Sequence, residues 1–323
     1  MPAAESVLVL LNPRADGGRA GRLADPLRDW LGRHAAGAAF IVAETAEAAR
    51  SAVSAQPEGA RVVVVGGDGT VHQVLPTLLA RDATLALVPL GSGNDLSRAL
   101  GLRRLPWQPA LEHALRGHAS PCDVGELVVG HAAVPFASSL AAGFDAAVSR
   151  RAVAGPEGLR GQSRYLWATL RELAALRTWR MKVIVDGVPW YDGPALFASC
   201  LNTPTYGAGM PAVPSARIDD GRLDLLIAGR FGRLGALWML PRLLAGSHLR
   251  HRHVHTRPFL ELRVESATPV PLAADGEVLP PERAFAVRVR RGALKVVKGA
   301  RGAIPPPPAR RCRGRSGGRC SSS

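Results

Sequence analysis

The chain has 323 residues, more than one hydrophobic core ordinarily organises, so two domains are the default; 47% hydrophobic and 21% charged residues exclude a disordered or fibrous class. The net charge is +15, which suits nucleotides, anionic membrane surfaces or nucleic acid, but aromatics are only 5% and do not alternate with basic residues. That excludes the stacking platform of a single-strand binder, and no specific nucleic-acid partner is expected. No apolar run nears the roughly 18 residues of a membrane span, and residues 1–5 lack the basic-then-apolar pattern of a secretory signal, so a cytoplasmic protein is expected. Cys122, Cys200, Cys312 and Cys320 show no CxxC spacing, which suggests neither a zinc site nor a disulfide framework.

In chain order, the first 120 or so residues alternate apolar runs with amphipathic stretches, the α/β pattern. Strands are expected at 7–11, 39–42, 62–65 and 85–89, and helices at 23–34, 46–54, 71–80 and 111–117. After Cys122 the pattern turns β-rich, with only two clear helices, 163–177 and 234–245. The expected organisation is an α/β nucleotide-binding domain over 1–125 and a mostly β domain over 126–300. A tail over 301–323 carries six arginines, four consecutive prolines and no acid, a composition that builds no core and reads as disordered. Without it, 35 basic and 26 acidic residues remain, so the folded part is basic in its own right.

Three loops with phosphate-binding character follow strands. The most informative is Gly66-Gly67-Asp68-Gly69-Thr70, which follows four valines and precedes a helical pattern. Glycines let successive backbone N–H groups converge on phosphate oxygens, and the helix N-terminus adds its dipole. Asp68 inside such a cradle repels a nucleotide unless a cation or a protonated hydroxyl intervenes, which points to Mg²⁺ or to proton transfer. The other two loops are Asn12-Pro13-Arg14-Ala15-Asp16-Gly17-Gly18 and Pro89-Leu90-Gly91-Ser92-Gly93-Asn94-Asp95. Neither GxxxxGK[ST] nor GxGxxG occurs, so the cradle is of another kind.

Those three loops in that order, followed by Gly143-Phe144-Asp145-Ala146, a segment over 214–224 ending in Asp220-Gly221-Arg222-Leu223-Asp224, and Asp275-Gly276-Glu277, resemble the diacylglycerol kinase and sphingosine kinase type of lipid kinase, in its soluble bacterial form. The resemblance covers roughly residues 5–298. It implies a Rossmann-like α/β N-terminal domain of the NAD-kinase/diacylglycerol-kinase type and a sandwich-like, mostly β C-terminal domain, with an ATP cleft between them. It also implies that ATP is lined by Asn12, Pro13, Arg14, Ala15, Asp16, Thr45, Gly66, Gly67, Asp68, Gly69, Thr70, Val71, His72, Gln73, Gly91, Ser92, Gly93 and Asn94. The Thr45 hydroxyl could equally cap the helix that follows it.

A lipid hydroxyl must lose its proton as it attacks phosphorus, and Asp275 and Glu277 are the candidate bases beside Asp68. The residues do not separate the two: a strand points both to one face, and a turn need not. By resemblance, Arg217, Asp220 and Arg222 hold a structural Mg²⁺ through one carboxylate and two carbonyls; an Asp-Gly hairpin turn is the alternative. The chain departs from the family at Val71-His72-Gln73, where Asn and Glu are usual, so a carboxylate role at Gln73 is lost. His248, His251, His253 and His255 lack the carboxylate or cysteine company of a metal site and read as surface or strand residues. Leu234, Leu237, Trp238, Leu243 and Leu244 form an apolar helical face edged by arginines, either core or interfacial. The reading is an ATP- and Mg²⁺-dependent lipid kinase with a lipid substrate at the membrane surface, peripheral contact with the inner face of that membrane being one option and a homodimer left open. NAD kinase and a catalytically silent nucleotide-binding regulator are the alternatives.

Overall fold

A computed structural model describes residues 6–299 except 92, 103, 104, 157, 160, 161 and 208, and describes Gln162 by its backbone alone. Ser92 and the tail over 301–323 therefore lie outside the described residues. In the N-terminal half, β1 (Val7–Leu11), β2 (Ala39–Val42), β3 (Arg61–Gly66) and β4 (Thr84–Pro89) pair in parallel in the order β2-β1-β3-β4. Val62 to Val65 are wholly buried because both faces of the sheet are covered. Leu8, Leu10, Val62, Val64 and Leu85 pack with residues of α2 (Ala46–Ser54) and α3 (Asp68–Ala80); Val9, Leu11, Val63 and Val65 pack with α1 (Ala24–His34) and with α5 (Trp107–Arg116), which follows the one-turn α4 (Asp95–Ala99). Each such buried Val or Leu contributes about 1.5–3 kcal/mol. The strand order reverses between β1 and β3, and in an open α/β sheet the ligand crevice opens there, beyond the carboxyl ends of the strands.

The C-terminal half is mostly β: β5 (Ala119–Val129), β6 (Ala132–Phe136), β7 (Ser139–Ala142), β8 (Trp179–Val185), β9 (Val188–Ala195), β10 (Phe197–Leu201), β11 (Leu223–Ala228), β12 (Val254–Phe259), β13 (Glu261–Ala274) and β14 (Glu277–Val297). A register shift between Glu265 and Val270 lets β13 change partners, pairing β8 through residues 262–266 and β7 through 272–274. Its inward side chains Leu262, Val264 and Leu272 meet Phe136, Met181, Phe259 and Phe285 in one core. Strand β14 is long enough to leave that core: it pairs β13 and β5, and Lys295 and Val296 then add in parallel to β4. The last strand thus joins the two sheets.

Among the described residues the second half holds three α-helices rather than the two expected: α6 (Phe144–Val153) precedes α7 (Gln162–Ala174) and α8 (Arg233–Leu244). Helix α6 buries Phe144, Ala146, Ala147, Val148, Ser149 and Ala152, so it shows no amphipathic stripe for a periodicity argument to find. Helix α5 starts at Trp107 rather than 111, because Pro106 and Pro109 lie at or before its first turn, where no intrahelical N–H bond is lost.

Candidate active site

The loop after β1 is tied to the turn after β3 by Asn12. Its backbone N–H donates to the Val65 carbonyl at 3.1 Å, its Nδ2 to Thr70 Oγ1 at 2.8 Å, and its Oδ1 accepts from the Arg14 N–H at 2.9 Å. Beyond Pro13 and Ala15, three successive residues, Asp16, Gly17 and Gly18, have positive φ (52°, 67° and 89°), which curls the backbone, and space beside both glycines is open. The Asp16 carboxylate is taken by Arg19 at 2.9 Å.

Helix α3 begins at Asp68, three residues earlier than its apolar pattern suggests, with Gly67 as its N-cap. The Thr70 and Val71 N–H groups donate to the Gly67 carbonyl at 3.0 and 3.2 Å, which leaves the Asp68 and Gly69 N–H groups at the positive end of the helix dipole, an anion-binding arrangement. Gly66 has no room for a side chain, since a Cβ there would lie 2.7 Å from Thr70 Oγ1. A Cβ on Gly67 would lie 2.8 Å from Gly91 Cα, so the second and third loops touch backbone to backbone. The third loop is locked by Asn94, at φ 53°, whose side chain accepts from the Gly91 N–H at 3.0 Å and donates to the Gly91 carbonyl at 2.6 Å. Its amide serves the turn itself.

Asp68 does not cap its own helix. Its Oδ2 accepts from the Asp95 N–H at 2.7 Å and its Oδ1 from the Leu96 N–H at 3.3 Å, so it caps α4 and ties the second loop to the third. Gly93 lets the carboxylate approach, a Cβ there being 3.3 Å from Oδ2. Burial raises the Asp68 pKa to about 6; the Asp95 and Asp275 charges add to the rise, and the backbone N–H bonds oppose it.

The carboxylates that sequence could not separate are divided by the hairpin between β13 and β14. Asp275 and Gly276 both have positive φ (49° and 89°), the two-residue turn that matches strand twist. The Asp275 side chain is 2% exposed and accepts from the N–H groups of Ala137 (2.9 Å), Ser138 (2.7 Å) and Ser139 (3.0 Å), with His72 Nδ1 at 3.2 Å. Glu277 is exposed, and no hydrogen bond or ion pair holds it among the described residues. Its Oε1 lies 3.3 Å from the Cβ position of Gly69, over the start of α3. His72 faces both: burial would lower its pKa, but the hydrogen bond and charge of Asp275, with the Glu277 charge behind them, outweigh it and raise the pKa above the ordinary value. Val71 is buried in the core and offers only backbone, while Gln73 is half-buried.

Thr45 is the N-cap of α2, its Oγ1 accepting from the Ala48 N–H at 3.1 Å. In the 217–222 loop, Asp220 Oδ1 accepts from the Arg222 N–H at 3.1 Å, leaving Oδ2 and the Arg217 and Arg222 carbonyls without protein donors among the described residues. Those are oxygen ligands of the kind a hard cation takes. Burial and then the Asp220 charge raise Asp224 to about 6, a repulsion that a cation would relieve. No cluster of three or more His, Cys, Asp or Glu is arranged for a metal among the described residues. His248 is buried, contrary to the surface or strand expectation, with Nε2 at 2.8 Å from the Ala212 carbonyl, whereas His251 and His253 pack on Phe231.

Sequence reasoning missed Asp123. Its buried carboxylate accepts from the Gly221 N–H at 2.6 Å and the Gly292 N–H at 2.7 Å, stapling the 217–222 loop to β14. Asn202, fully buried, donates to the carbonyls of both Asp123 and Ala137 at 2.8 Å, and Thr205 donates to Asp95 Oδ1 at 2.6 Å. An aspartate between Cys122 and Val124, in a segment of β-strand character, was the available signal, since a buried carboxylate must find donors.

A helix-capped glycine cradle at the switch point of a parallel sheet, facing a carboxylate from a second domain, defines a phosphate-handling α/β-plus-β class. The model of the diacylglycerol kinase catalytic domain matches residues 6–127, and that of the YegS C-terminal NAD kinase beta sandwich-like domain matches 138–298. The chain is 31% identical to a diacylglycerol kinase of Mycobacterium tuberculosis over 219 residues, 67% of this chain and 70% of that one. It is also 31% identical to a "Probable lipid kinase YegS-like" protein of Pseudomonas aeruginosa PAO1 over 301 residues, 90% and 94% of the two chains. The chain belongs to this lipid kinase family. A diacylglycerol kinase from Bacillus anthracis has the same fold (TM-score 0.66, 18% identity, 91% of this chain and 97% of that one), and yeast NADH kinase shares it more loosely (TM-score 0.54, 10% identity, 93% and 85%).

Proposed function

We propose that the protein transfers the γ-phosphate of ATP to a hydroxyl of a diacylglycerol-like or sphingoid lipid. The observation that carries this reading is Glu277: a carboxylate with no protein partner, held over the N-terminus of α3 by a hairpin that Asp275 locks. The first turn of α3, the curled 16–18 backbone and the Gly91 turn receive the phosphates, with Asn12 and Asn94 fixing the loops rather than the ligand. Glu277 takes the hydroxyl proton as that oxygen bonds to the γ-phosphorus; the bond from phosphorus to the bridging oxygen breaks and ADP leaves. Asp275 locks the hairpin that carries Glu277 and favours the protonated form of His72, which in that form adds positive charge beside the transfer path. Mg²⁺ would neutralise phosphate charge in this chemistry. The free oxygens of Asp220, Arg217 and Arg222 fit a structural Mg²⁺ in the outlying loop.

A radiolabelled ATP transfer assay against diacylglycerol, ceramide, sphingosine, phosphatidylglycerol and NAD tests the reading, with Glu277→Gln as the control. Label in a lipid that disappears in the control is the expected result. Label in NAD alone would sink it, and ATP binding with no labelled acceptor would favour the silent regulator.

A further inference from the structure

Two helices of the C-terminal domain present large apolar side chains to solvent. On α8, Leu234, Leu237 and Trp238 follow the i, i+3, i+4 spacing of one face and are 76%, 46% and 73% exposed. On α7, which packs against α8, Tyr165, Leu166 and Leu170 are 44%, 59% and 51% exposed. The sequence left this face open between core and interface; Leu234, Leu237, Trp238 and Leu244 are exposed, whereas Leu243 packs with Met239 and Leu240 against the core, so the face divides between the two readings. Large apolar side chains left exposed on two packed helices mark an interaction site.

The surrounding charge selects the partner. From residue 225 to 260 there are six arginines, four histidines and no acid, and α8 itself carries Arg233 and Arg242. The one acid of α7, Glu172, is paired with Arg151 at 2.5 Å. A second copy of the chain meeting this face would set the same arginines against one another, whereas an anionic lipid surface would neutralise them. The patch is also continuous with the site: the Tyr165 hydroxyl lies 3.9 Å from the Cβ position of Gly276, in the turn that carries Asp275 and Glu277.

We infer that the α7–α8 face docks on an anionic bilayer, with Leu234 and Trp238 entering the headgroup boundary, the arginines on lipid phosphates, and the Tyr165 edge presenting a lipid headgroup to Glu277. The inference rests on the lipid-kinase reading for what is presented, not for the docking itself. The test is co-sedimentation of the full chain with phosphatidylcholine vesicles, with and without phosphatidylglycerol, for the wild type and for Leu234→Asp/Trp238→Asp. Binding only to the anionic vesicles, weakened by added salt and lost about tenfold or more in the variant while the basic tail is intact, is expected. Equal binding by wild type and variant, no preference for anionic vesicles, or a wild-type dimer that the variant converts to monomer would each overturn it. Phosphorylation of a water-dispersed short-chain diacylglycerol, expected to be equal in wild type and variant, reads the kinase assignment separately.

Discussion

Asp275 and Glu277 stand two residues apart, and the structure gives them different work that one pair of substitutions separates. In Asp275→Asn, Oδ1 can still accept from the Ser138 and Ser139 N–H groups, but an amide NH₂ replaces the oxygen that accepts from the Ala137 N–H at 2.9 Å and from His72 at 3.2 Å. Two hydrogen bonds to a buried charge are lost and donor then faces donor. At about 1.5–3 kcal/mol each, the cost is about 3–6 kcal/mol, or a Tm lower by roughly 5–15 °C. Glu277→Gln removes a charge from an exposed side chain with no protein partner, so stability should change by less than about 0.5 kcal/mol while kcat falls on the order of 10²–10⁴-fold. Differential scanning fluorimetry and the transfer assay, run on both variants, give the two readouts. An Asp275→Asn protein that melts like wild type, paired with a Glu277→Gln protein that retains kcat, would refute the division of roles.

Thr45→Ala should cost ~1 kcal/mol of stability and leave ATP affinity unchanged, because the hydroxyl caps α2; weaker ATP binding at constant Tm would restore the nucleotide role. Gly91→Ala places a Cβ 2.6 Å from Gly67 Cα, a backbone clash worth about 1–3 kcal/mol that parts the second and third loops, and calorimetry should find ATP binding weakened about tenfold or more. Asp145 is half-buried, its carboxylate accepting from the Ser199 and Tyr206 hydroxyls, each at 3.1 Å, and desolvation raises its pKa to about 6. The folded state therefore holds that proton above the unfolded value of 3.8, so stability is greatest below about pH 4 and falls, by up to ~3 kcal/mol, as pH rises through about 6. Asp68 and Asp224 shift the same way, so the measure is the difference from Asp145→Asn, which should gain on wild type between pH ~4 and ~7; parallel Tm curves would contradict it. Added Mg²⁺ should raise the Tm of wild type and not that of Asp220→Ala, and equal shifts would remove the cation from the 217–222 loop.

What sequence disclosed and what it hid divide along the range of the interactions. The valines at 62–65 and the leucines and valines at 7–11 place two central strands of the N-terminal sheet, because burial on both faces demands unbroken apolar runs. The glycine turns show themselves because backbone contact, as between Gly67 and Gly91, tolerates no other residue. Helix α6 stayed hidden since a helix buried nearly all round has no polar face to give it a period. The tasks of Asp68, Asp123 and Asp275 were hidden for another reason. Each carboxylate accepts backbone N–H groups at least 27 residues away in the chain, and no local pattern announces which turn will supply them.

The same long-range bonds explain why the candidate base sits where it does. Asp275 takes three N–H groups from the 137–139 segment of its own domain and a fourth hydrogen bond from His72, one turn into α3 of the other. A single side chain thereby sets the height of the hairpin above the phosphate cradle, and the two positive-φ residues of the turn carry the chain on to Glu277, beside Gly69. Glu277 needs no bond of its own to be placed, and a base that must pick up a proton is better left without one. The raised pKa of His72 belongs to this arrangement, because a protonated imidazole tightens the contact that spans the cleft. As pH rises through the pKa of the folded His72, that charge-assisted bond weakens to a neutral one. The tie between the hairpin and α3 should then loosen, and any alkaline-side fall in kcat that His72 causes should be absent in His72→Gln, while Tm in acid solution drops toward its alkaline value.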